Sequence, residues 1–85
     1  MSNIESFLRK TAECINATHP EFTAYVESTP DALLYQVLSI SKKGGGKISL
    51  SYSDNIDPDD LEYSSNDVEH TPDNYAKYLL SLLEE

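Results

Sequence analysis

The chain is short of the residues from which small proteins usually build chemistry. It has one cysteine, Cys14, among 85 residues. That excludes an intrachain disulfide and any site with two thiolates from one chain, and it fits a reducing compartment. Tryptophan is absent, and the only glycines are Gly44, Gly45 and Gly46. No apolar run approaches the ~20 residues of a membrane-spanning helix. Met1-Ser2-Asn3-Ile4-Glu5 has neither a basic region nor an apolar stretch, so no secretory signal is expected. Ser2 stands where myristoylation needs glycine. A cytoplasmic location is the expectation. Positive charge is scarce too: 6 Lys and Arg face 15 Asp and Glu, a net charge of -9. Binding nucleic acid through its phosphates needs those missing bases, and so does an anionic membrane. The natural complement is a basic protein surface.

What is present suits a small folded domain spanning residues 1–85. Apolar residues make up 39% of the chain and charged residues 25%, ordinary for a globular protein. A chain of this length has an expected radius of gyration of about 12 Å. Folding buries only roughly 60–65% of its surface, which leaves little room for a deep substrate cavity.

Ser2-Asn3-Ile4-Glu5 reads as a capping box. Ile4, Phe7, Leu8, Thr11, Ala12 and Ile15 follow at helical spacing, which predicts a helix from about Asn3 to Asn16. Thr18-His19-Pro20-Glu21 resembles a second helix start, and Phe22, Tyr25 and Val26 then sit at i, i+3 and i+4. A short helix over Pro20–Ser28 is expected. Leu34–Ser41 is ambiguous, because Leu33, Leu34, Val37 and Leu38 also suit a helix; strand is the preferred reading. Beyond the glycines, Ile48, Leu50 and Tyr52 alternate with Ser49, Ser51 and Ser53, the period of a half-buried strand. A glycine-rich link between two such runs signals a hairpin. Leu61-Glu62-Tyr63 is a candidate third, edge strand. Asp57-Pro58-Asp59-Asp60 can cap one helical turn. Thr71-Pro72-Asp73 opens a last helix to Glu84, with Tyr75, Leu79, Leu82 and Leu83 on its apolar stripe. The expected fold is a two-layer α+β domain: N-terminal helix, short second helix, antiparallel hairpin or three-stranded sheet, and C-terminal helix.

The charge is unevenly placed. Residues 1–43 carry five acids and four bases, a net of -1, and residues 44–85 carry ten acids and two bases, a net of -8. The eight acids of 54–73 are Asp54, Asp57, Asp59, Asp60, Glu62, Asp67, Glu69 and Asp73, with no Lys or Arg among them. One reading is a solvated loop whose acids cap helices. The other is a surface that imitates nucleic-acid phosphates and blocks a basic groove, with Tyr52 and Tyr63 as aromatic anchors.

Other chemistry fits poorly. Counted from Asp57, an EF-hand loop has Leu61 at its fifth position; counted from Asp54, it has Ile56 at its third. Asp67, Glu69, His70 and Asp73 offer one histidine with carboxylates, a weak metal signal interrupted by Pro72. In Lys43-Gly44-Gly45-Gly46-Lys47 the final lysine leads into Ile48 and a strand, not the Ser or Thr and helix of a phosphate loop. No nucleophile elbow occurs, and Cys14 borders an apolar stripe where a packing role is expected. Neither enzyme activity nor a cofactor is expected.

Size, acidity and the α+β outline resemble in type the DNA-mimic inhibitors of phages and mobile elements, a likeness that carries no residue over. It implies a non-enzymatic inhibitor of a nucleic-acid-handling protein, of the anti-defence or anti-CRISPR kind. The alternatives are an immunity protein or antitoxin directed at one toxin, or a small subunit of a larger assembly. A homodimer is compatible with all of them.

Overall fold

The computed structural model describes residues 3–28, 35–61 and 69–83. Their order is α1 (Asn3–Thr18), β1 (Phe22–Ser28), β2 (Tyr35–Lys42), β3 (Lys47–Ser53), a single 3-10 turn η1 (Pro58–Asp60) and α2 (Pro72–Leu83). The three strands form one antiparallel sheet in the order β1-β2-β3. Both helices lie on one face of it, giving the expected two-layer α+β arrangement. The radius of gyration is 12.4 Å.

The stripe read along the first helix is its buried face: Ile4, Phe7, Leu8, Thr11, Ala12 and Ile15 all point into the core. Thr11, the polar member, satisfies its hydroxyl by donating to the Phe7 carbonyl at 2.9 Å. Glu5 pairs with Arg9 at 2.9 Å, one turn along. Ser2, and with it the capping box, lies outside the described residues. On the sheet, Phe22, Ala24, Leu38, Ile40 and Tyr52 are buried beneath the helices. From α2 come Tyr75, Ala76, Leu79 and Leu80. Thr71 begins that helix as expected, its Oγ1 accepting from the Asn74 N–H at 3.2 Å with Pro72 in the first turn.

One expected element is corrected. Residues 22–28 form strand β1, and no second helix occurs there. Phe22-Thr23-Ala24-Tyr25-Val26 carries both periodicities. Pairing decides between them: Ala24 faces Ile40 and Val26 faces Leu38, so Phe22, Ala24 and Val26 share the core side. Tyr25, which the helical reading placed beside Val26, points to the opposite face and is 42% exposed. Among the described residues the third strand of the sheet is therefore β1. Leu61 sits in a bend after η1, while Glu62 and Tyr63 lie outside the described residues.

The two sheet edges differ. On β1, Asn16 of α1 accepts from the Ala24 N–H at 2.9 Å and donates to the Ala24 carbonyl at 2.8 Å. A side-chain amide thus stands where the next strand's backbone would pair, a common way to blunt an edge. Asn16→Ala is expected to cost about 1–2 kcal/mol. It should also abolish slow hydrogen exchange at the Ala24 amide while the Leu38 amide stays protected. Uniform loss of protection would mean that Asn16 supports the whole fold and not this edge.

The hairpin tip requires one special residue. Gly44 has φ 74°, where a Cβ is strained, and the turn closes through hydrogen bonds from Lys42 to Gly46 and from Gly45 to Lys42. The lysines Lys42, Lys43 and Lys47 gather at this end. Lys42 Nζ lies 5.9 Å from the centre of the Phe22 ring.

Candidate functional site

The acidic segment begins where β3 ends. Asp54 is half-buried and tied to the sheet: Gln36, fully buried on β2, donates to its carboxylate at 3.0 Å and accepts from Ser28 at 2.8 Å. Asp57 caps η1, its Oδ1 accepting from the Asp59 N–H at 3.0 Å, as the Asp-Pro-Asp-Asp spacing implies. Asp59 and Asp60 then stand exposed on the turn. His70 approaches Asp59 at 3.9 Å, which brings the residues just before α2 alongside η1. Glu69 is exposed there, and its carbonyl accepts from Asn74 at 2.8 Å.

Beside these acids runs an apolar groove of about 400 Å³ between β3 and α2. Leu50 and Tyr52 line it from the strand, Ile56 and Leu61 from the segment around η1, and Tyr75, Tyr78, Leu79 and Leu82 from the helix; Asp60 stands at its rim. Tyr52 is buried and is not a projecting anchor: its hydroxyl meets that of Tyr75, and the two rings cross edge to face at 6.4 Å. The exposed apolar contribution comes from Leu82, 39% accessible, with Tyr78 half-buried. Reasoning from the chain missed this groove because three separate segments build it. Ile56 and Leu61, lone apolar residues within an acidic stretch, were the available signal.

The acids read as one set do not all gather here. Asp54, Asp57, Asp59, Asp60 and Glu69 lie near the groove, while Glu62, Tyr63 and Asp67 fall outside the described residues. Asp73 is elsewhere, in a cleft of about 230 Å³ with Cys14, Thr18, His19, Ala76 and Lys77. Burial pushes the Cys14 thiol above its ordinary value of 9.0, and the hydrogen-bonded Asp73 carboxylate raises it further; Thr18 and Lys77 pull weakly the other way. A raised folded-state pKa favours the folded thiol form, so this contribution is complete below pH 9 and fades as pH climbs through the folded value. Asp73→Asn is expected to lower the thiol pKa and to speed alkylation of Cys14 at pH 8. A pH–rate profile with iodoacetamide checks it, and an unmoved midpoint would remove Asp73 as a cause.

Among the described residues, no group of three or more His, Cys, Asp and Glu converges to hold a metal ion, and no helix is long and apolar enough to cross a membrane. Fold and surface together define a small α+β domain with an acidic turn beside an apolar groove. Comparison with family models, with curated proteins and with solved structures gives no match.

Proposed function

We propose that this chain is a non-enzymatic binding protein whose acidic turn and adjoining groove occupy a basic surface on a nucleic-acid-handling partner. The observation that carries this reading is the meeting of two features at one place. Exposed carboxylates at Asp57, Asp59 and Asp60 supply charge, and Tyr78, Leu61 and Leu82 supply an apolar contact next to them. The charges attract and orient a cationic partner, and the apolar contact slows its departure. An inhibitor acting by charge mimicry, of the anti-defence type, needs both. The groove also favours a second reading, an immunity protein or antitoxin held mainly by aromatic and aliphatic contacts.

Capture of partners from bacterial lysate at low and high salt separates the two. A basic nucleic-acid enzyme held at low salt and displaced by salt or by DNA supports charge mimicry. One partner that survives high salt, and is lost on Tyr78→Ala or Leu82→Ala, supports the toxin-neutralising reading. Retention of no protein under either condition would overturn both.

A further inference from the structure

Among the described residues the two edges of the sheet are treated differently: a side chain caps β1, and none caps β3. Ala24 on β1 spends its N–H and carbonyl on Asn16, so it and its partner Ile40 on β2 form a non-hydrogen-bonded pair. Alternation along an antiparallel ladder then turns the Ile40 backbone toward Ile48 on β3. The hydrogen bond from Lys42 to Gly46 shows the same parity. Leu50 and Tyr52 therefore bond back to β2, and the N–H and carbonyl groups of Ser49 and Ser51 face outward. Among the described residues no side chain caps them, in contrast to Asn16 on β1.

Charge is polarised along this edge. The lysines of the hairpin tip stand at its start, and Asp54, Asp57, Asp59 and Asp60 follow its end, about 20 Å away along a strand of this length. Among the described residues, Lys42, Lys43 and Lys47 form no ion pair within the chain. A strand that is positive at one end and negative at the other complements its own antiparallel copy.

We propose that β3 is a dimerisation edge: a second copy of this chain pairs with it antiparallel, centred on Leu50, to make a six-stranded sheet. Centring on Leu50 overlaps the whole of Lys47–Ser53. Ser49 of each copy then exchanges hydrogen bonds with Ser51 of the other. Lys47 of each lies opposite the other's Ser53, next to its acidic turn. The two Leu50 side chains meet on the axis, and the grooves beside them join into one apolar seam under both α2 helices. A foreign basic segment would satisfy the charge at only one end of β3; a second copy satisfies both. This goes beyond the partner-blocking reading and is tested on the purified chain alone, so either can fail without the other.

Sedimentation velocity over a concentration series should give a species of twice the chain mass. Ser51→Pro removes an outward N–H at a position where an edge strand accepts proline. By symmetry it deletes two intermolecular hydrogen bonds and should weaken the dimer about tenfold or more. Lys47→Glu, an exposed change that leaves the core untouched, should do the same, and mixing it with an Asp59→Lys, Asp60→Lys variant should restore association as a heterodimer. In a Cys14→Ser background, Leu50→Cys should form an intermolecular disulfide with oxidised glutathione, because directly opposed residues in a non-hydrogen-bonded pair lie within bridging distance. A monomer at every concentration overturns the proposal. So does a dimer indifferent to both Ser51→Pro and Lys47→Glu, or one that gives no Leu50→Cys bridge.

Discussion

Leu38→Ala is expected to remove about 2–5 kcal/mol of stability. Leu38 is wholly buried on the middle strand, with Val26 and Leu50 as its cross-strand neighbours and α1 above it. The lost transfer energy adds to the cost of a cavity whose walls, two strands and a helix, cannot collapse inward freely. A domain of this size has only about 5–15 kcal/mol in total. The melting temperature should fall by roughly 8 °C or more, since each kcal/mol is worth roughly 4–8 °C at this length. Leu82→Ala is the control: at 39% exposure it should cost less than ~1 kcal/mol. Urea denaturation with an unchanged slope measures both. Equal losses for the two variants would contradict a core centred on β2.

Asp57→Asn, Asp59→Asn and Asp60→Asn together should weaken partner binding roughly 3- to 100-fold, taking about 0.2–1 kcal/mol for each exposed charge pair. The dependence of affinity on salt should flatten in parallel, because three charges no longer contribute to steering. Asparagine keeps the capping oxygen that accepts from the Asp59 N–H, so η1 survives. Relief of repulsion among neighbouring acids should leave stability equal or higher. Loss of affinity without loss of stability is therefore the expected pair of results, read by titration calorimetry and thermal melting. Unchanged affinity would reduce these acids to a solvated cap.

The elements with a single clean periodicity were legible in the chain. α1, β3 and α2 each show one dominant period, and each forms where it was expected; on α2 the buried face is shifted, with Ala76 and Leu80 inside and Leu82, expected on the stripe, exposed. β2 was legible once the hairpin was recognised. β1 was not, because Phe22, Ala24, Tyr25 and Val26 satisfy both periods, and only pairing with distant β2 selects one of them. The acidic turn was readable down to the Asp57 cap, since capping is local. The groove beside it was not, since its walls meet only after α2 has packed onto α1. The separation of Asp73 from the other acids has the same origin. A position in the first turn of α2 aims its side chain at Cys14, whatever its neighbours in sequence.

The strands are neighbours in space in the same order as they are along the chain. Each pairing therefore closes only a short loop, whereas packing α2 on α1 must bring together segments from opposite ends of residues 3–83. Contacts at short separation form quickly, and those at long separation wait for costly closure. The three-stranded meander is thus the natural early nucleus, and helix docking is the late step. Substitutions in the β2–β3 hairpin should chiefly slow refolding, while those on the α1-facing side of α2 should chiefly hasten unfolding.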